Sequence, residues 1–251
     1  MAIEGDDVVK SVGRVFEILQ LLDAERRPLS ATQVERGLGY PQSSTLALLK
    51  SMVKLGYLAF DRLERCYVPT MRVAGLGRWI EASFHGEGHL VAMLDEISAQ
   101  TSETVCLSCQ NDLAMQFTHV RLSPQSLIMS STAGDLAPLF SSAIGLAALS
   151  DRQDPVVRKL VQRYNRRCRN SAERVDAETT LQRIRRVRVA GYAVGYDMYL
   201  EGIGAIAWPL RPEAGPHAMV LSVGGPTDRI KAREASIIRT TRAAIRAHLG
   251  G

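Results

Sequence analysis

Residues 30–56 read SATQVERGLGYPQSSTLALLKSMVKLG, and this stretch decides how the first part of the chain folds. Ser30-Ala31-Thr32-Gln33 is a capping box, in which the Ser30 hydroxyl and the Gln33 amide each satisfy a backbone donor left over at a helix start. Gly37 is expected to close that short helix in the left-handed conformation. Pro41 suits a first helical position, and Leu46, Leu49, Met52, Val53 and Leu55 supply an inward face until Gly56. A short capped helix, a glycine-containing turn and a second helix form a helix-turn-helix, a module whose second helix can enter the major groove of DNA.

Upstream, Val8, Val12, Val15, Phe16, Leu19 and Leu22 fall on one stripe of a helix. Downstream, Tyr57–Phe60 and Cys66–Val68 are short β-prone runs separated by Asp61-Arg62-Leu63-Glu64-Arg65, a hairpin with Arg62 and Arg65 at its tip. The hairpin makes the unit a winged helix-turn-helix over residues 1–70. Its second motif helix turns Gln42, Ser43, Ser44, Thr45, Leu48 and Lys50 outward, mostly hydroxyl and amide groups suited to phosphates and base edges. The same topology also serves as a protein-interaction module, and the spacing alone does not separate the two.

The 251 residues carry a net charge of +5, with 46% hydrophobic and 23% charged side chains, values that describe an ordinary folded protein rather than a disordered or fibrous one. The densest basic stretch, 158–188, lies outside the helix-turn-helix and reads as solvated helix faces. Residues 1–10 contain Glu4, Asp6 and Asp7 and no apolar run, and no stretch has the length of a membrane span. A cytoplasmic protein with no membrane partner and reduced cysteines is expected. No phosphate-binding glycine loop, HExxH helix or GxSxG elbow occurs, so no catalytic residue, metal ligand or cofactor is assigned and no enzyme is expected.

A helix-compatible run from Met71 to Ser83 is broken at His85-Gly86-Glu87-Gly88. It reads as a linker helix over 71–84 whose Trp79 side packs on another subunit or on its own domain. The remainder, 85–251, alternates helices with strands, among them Glu103–Ser108, Leu113–Val120 and Leu127–Ser131, the pattern of an α+β sensory domain. Cys106 and Cys109 form a CxxC on a strand, where positions three apart face opposite ways. Core packing is the favoured reading, with a thiol or metal sensor as the alternative.

Four stretches together resemble the IclR family of bacterial transcriptional regulators over nearly the whole chain. They are Ser30 to Tyr57; Gly134-Asp135-Leu136-Ala137-Pro138-Leu139 followed by Ser141-Ser142-Ala143-Ile144-Gly145; Gly191-Tyr192-Ala193; and Ser222-Val223-Gly224-Gly225-Pro226 with Arg229. The resemblance implies a winged helix-turn-helix on a double-stranded DNA operator, a dimerising linker helix, and a GAF-like effector-binding domain in a homodimer or homotetramer. It places Gln42, Ser43, Ser44 and Thr45 on the recognition helix and Arg14 where it would clamp the DNA backbone. It also implies an effector pocket of Leu139, Ser141, Ser142, Ala143, Ile144, Ile203, Ala205 and Ser222, although the apolar members suit a plain core equally well. Phe140, Ile144, Ile203 and Ala205 favour an aromatic or similarly hydrophobic carboxylate, its charge resting on helix-start amides near Ser141 and Ser142. A structural DNA-binding protein without a ligand is the competing reading.

Overall fold

The capping box forms as read in the computed structural model, which describes residues 9–77, 89–168, 170–211 and 219–250. Ser30 accepts from the Gln33 amide and the Gln33 side chain accepts from Ser30 N, starting helix α2 (Ala31–Leu38). Before it come α1 (Lys10–Glu25) and the two-residue strand β1 (Leu29–Ser30); after it comes α3 (Gln42–Lys54). Strands β2 (Leu58–Asp61) and β3 (Cys66–Pro69) form the hairpin, and β1 adds to its edge in the order β1-β3-β2. Ile18, Leu22, Leu29, Val34, Leu49, Met52, Leu58 and Tyr67 share one core. On α1 the buried residues are Ile18 and Leu22, whereas Val12 and Phe16, expected on the inward stripe, are exposed, because the buried face is turned toward Ile18.

Three further local readings need correction. Gly39, at φ 67°, ends α2 in the left-handed conformation; Gly37 lies inside the helix, where an added Cβ would stand 3.0 Å from Leu21. Pro41 is the residue before α3 rather than its first. Leu55, expected to face inward, is 62% exposed, because the buried stripe of α3 runs through Thr45, Leu49 and Met52. A short helix α4 (Met71–Gly75) follows, capped by the Thr70 hydroxyl, which also donates to the Gly56 carbonyl at 2.6 Å. The rest of the proposed linker helix, with Trp79, lies outside the described residues.

The chain divides into two compact units, Met1–Trp79 and Ile80–Gly251. The second is built on a six-stranded antiparallel sheet in the order β6-β5-β4-β9-β8-β7. Its strands are β4 (Thr104–Asn111), β5 (Ala114–Arg121), β6 (Leu136–Pro138), β7 (Ala193–Tyr196), β8 (Ile203–Leu210) and β9 (Met219–Pro226). Helices α5 (His89–Thr101) and α9 (Thr227–Leu249) cover one face; α6 (Ala143–Ser150), α7 (Asp154–Arg167) and α8 (Ala177–Ala190) cover the other. The period-2 rule sorts the two cores. Leu221 and Val223 join the α5/α9 side, whereas Val220 joins the α6 side.

Leu127–Ser131 is not a strand, and the edge of the sheet is formed by β6 instead. Side chains satisfy that segment's backbone: Thr104 Oγ1 donates to the Met129 carbonyl and Arg229 Nη2 to the Leu127 carbonyl. Arg229 in turn grips Glu103, which is fully buried, through two bonds of 2.6 Å.

Candidate DNA-reading and effector-binding sites

Helix α3 exposes Gln42, Ser43, Ala47, Lys50 and Lys54, and these form the face available to a groove. Thr45 does not belong to it. Only 1% exposed, it lies four residues before Leu49 on the buried stripe, and its hydroxyl donates to the Pro41 carbonyl at 3.1 Å. Ser44 is half-buried and its hydroxyl bonds the same carbonyl at 2.9 Å. The i, i+4, i+7 spacing of Thr45, Leu49 and Met52 was the signal that separates the inward hydroxyl from the outward ones.

The cations assigned to phosphate are placed by packing. The Arg14 guanidinium lies 4.6 Å from the centre of the Tyr40 ring, a cation–π contact that holds it at the turn between α2 and α3. Arg62 and Arg65 are exposed on the hairpin tip. There Asp61 Oδ1 accepts from the Leu63 and Glu64 amides and Arg65 adopts φ 54°, so the tip is a formed turn rather than a loose loop.

In the second unit a cavity of about 40 Å³ opens beneath the start of α6. Six of the residues expected there line it: Ser142, Ala143, Ile144, Ile203, Ala205 and Ser222. Leu139 and Ser141 do not. Leu139 is fully buried in the core. The backbone at Leu139 passes so close to Gly145 that a Cβ there would sit 1.9 Å from the Leu139 oxygen. Phe140, expected to make the site apolar, instead packs on the Tyr164 ring with centroids 5.1 Å apart. The apolar walls come from Phe117, Met129, Met198 and Leu200, which arrive from β5, from the segment after it and from the turn between β7 and β8. No local pattern marks them, although Asp197 to Gly202 between two strand-like runs was legible as a turn.

Ser142 caps α6: its hydroxyl accepts from Gly145 N at 3.1 Å and donates to the Pro138 carbonyl at 2.6 Å. The hydroxyl is therefore occupied, and among the described residues the first-turn amides of Ala143 and Ile144 are the donors left for an anion. Ser222 presents a hydroxyl from the central strand β9. The arrangement suits a small carboxylate: amide donors at one end, an apolar chamber at the other.

Cys106 lies in the core under α6, and burial pushes its thiol up to about 12; Cys109 is half-buried and also pushed up. Neither is a poised thiolate, which argues against the thiol or metal sensor. Among the described residues no helix is long and apolar enough to cross a membrane.

Comparison with known proteins bears on both units. The IclR helix-turn-helix model matches residues 11–62, and the model for the bacterial transcriptional regulator IclR C-terminal domain matches residues 89–248. The HTH-type transcriptional regulator KdgR of Escherichia coli is 28% identical over 223 residues, covering 89% of this chain and 84% of that protein. The p-hydroxybenzoate hydroxylase transcriptional activator of Acinetobacter baylyi is 23% identical over 238 residues, covering 91% and 86%. The Thermotoga maritima IclR crystal structure superposes with a TM-score of 0.60 at 18% identity, covering 96% of this chain and 99% of that one, which shows a shared fold.

Proposed function

Because the chain belongs to the IclR family of bacterial transcriptional regulators, and is therefore a DNA-binding regulator with an effector-binding C-terminal domain rather than an enzyme, we propose that its effector is an aromatic or similarly hydrophobic carboxylate of a catabolic route. The observation that carries this reading is the cavity, with free Ala143 and Ile144 amides beside walls of Phe117, Met129, Ile144, Met198 and Ile203. The carboxylate rests on the amides and the Ser222 hydroxyl; the ring fills the apolar part. The relative named for p-hydroxybenzoate hydroxylase supports a ligand of this chemistry.

A benzene-sized ligand needs a cavity of about 150 Å³, so the chamber of about 40 Å³ must widen to take a ring. Met129 and Met198 in its wall allow that, since an unbranched thioether re-packs at low cost. Volume alone favours a second reading, a two- or three-carbon oxo acid, which asks for less widening than a ring-bearing acid.

The DNA-reading surface in this proposal is Gln42, Ser43 and Lys50, with Arg14, Arg62 and Arg65 on phosphates, in a cytoplasmic homodimer or homotetramer that places two winged helices on a palindromic operator. Ser44 contributes its exposed edge only. Calorimetry on the purified full-length protein with 4-hydroxybenzoate, benzoate and pyruvate tests the ligand. Pyruvate binding more tightly than every aromatic acid would replace the first reading by the second. Sedimentation tests the assembly, and a monomer at micromolar concentration with one protein per operator would refute it.

A further inference from the structure

Arg183 on α8 is a cation with an unusual neighbour. Its Nη2 stands 3.3 Å from the Met198 sulfur, and among the described residues no carboxylate pairs with it. Of the other arginines on α8, Arg185 and Arg188 both hold Asp154, and Arg186, which is exposed, has no carboxylate partner among the described residues. Arg183 is half-buried, so part of its hydration is lost, and a thioether is a weak acceptor that returns little of it.

The Met198 sulfur sits where it does because Gly195 has no side chain; a Cβ there would lie 2.5 Å from that sulfur and 3.2 Å from the Ala143 Cβ. Met198, Gly195 and Ala143 all line the cavity. Met198 thus both contacts the Arg183 guanidinium and lines the cavity at the start of α6.

We propose that Arg183 is the cationic partner of the effector's carboxylate, masked by Met198 until the ligand enters. When Met198 turns aside to widen the chamber, the guanidinium exchanges a weak contact with sulfur for a charge-assisted bond to a carboxylate oxygen, while the other oxygen keeps the Ala143 and Ile144 amides. The same movement that makes room for the ligand supplies its counter-charge. This inference rests on the carboxylate reading of the cavity and applies to aromatic and short-chain acids alike.

The test is calorimetry on the full-length chain with two acid and amide pairs, 4-hydroxybenzoate with 4-hydroxybenzamide and pyruvate with pyruvamide. For whichever acid binds, the unmodified protein is expected to prefer it to its amide by about tenfold or more, and Arg183→Gln to remove that preference by weakening the acid and leaving the amide unchanged. Arg183→Lys should restore part of it. Met198→Ala, which uncovers the guanidinium, should strengthen acid binding relative to amide binding and decides the matter if Arg183→Gln folds poorly. Acid affinity unchanged in Arg183→Gln, or an acid-to-amide ratio unchanged in Met198→Ala, overturns the role of Arg183 and leaves the carboxylate reading standing. Amides binding as tightly as acids, or neither acid binding, overturns both.

Discussion

Helices α3 and α6 each border a proposed binding site, and the two sites are built by opposite means. Helix α3 keeps one narrow stripe buried and turns Gln42, Ser43, Lys50 and Lys54 to solvent. Helix α6 is buried on every side, all eight of its residues included, so its side chains build walls and, in the proposed site, the polar contacts fall to the backbone of its first turn. Side chains can be exchanged one at a time, which suits the reading of a base sequence; backbone amides cannot, which suits a carboxylate common to many ligands. Recognition on α3 should therefore respond to polar substitutions, and recognition on α6 to changes of volume.

The largest expected effect lies behind the α6 site. Arg229→Leu would leave Glu103 buried, with Arg233 at 3.6 Å as its remaining partner, and should cost about 3 kcal/mol. Thermal unfolding of the full chain should show the loss in the transition of the C-terminal unit; equal melting of both proteins would mean the pair holds nothing. Next is Ala205→Trp. Ala205 lines the cavity, so the indole should fill it, abolish the effector response and cost about 1–3 kcal/mol by overpacking, with operator affinity nearly unchanged. A variant that still responds would show that the ligand binds elsewhere.

On α3 the contrast is between neighbours. Gln42→Ala should shift preference among operator sequences by about 1–3 kcal/mol per lost base contact, whereas Thr45→Val should leave preference intact and lower only stability, because Thr45 faces the core. Competition titrations against single-base operator variants would decide, and a changed preference in Thr45→Val would put that side chain back in the groove. Lys50→Ala and Arg62→Ala should weaken binding on all sequences alike and reduce the salt slope by about one each.

The smallest effect concerns Cys106. Burial raises its thiol to about 12, so the folded state favours the neutral form. The stabilisation from burying that form is fully present below the ordinary thiol range and is lost as pH rises toward 12. At pH 8 Cys106 should resist a disulfide reagent in the native protein and react only on unfolding, without change in operator binding before that point. Rapid native labelling of Cys106 would revive the sensor reading.

What the chain alone determined is local. The Ser30–Gln33 capping box, the period-3.6 stripe of Leu49 and Met52, the period-2 alternation of Val220, Leu221 and Val223 and the wing around Asp61 to Arg65 are all set within a few residues, because caps, helix faces and pleats repeat over one turn or one strand. The family motifs around Pro138 and Pro226 carried the effector domain in the same way. Tertiary structure decided the rest. Phe140 turned to Tyr164 and Thr45 turned inward, while Phe117, Met129 and Met198 came together at α6 from segments far apart in the chain. Arg183 reached that place from α8, inside a basic run that reads as solvated helix surface. A cavity wall is formed by contacts between distant elements, and contacts of that kind leave no periodic trace in the elements that make them.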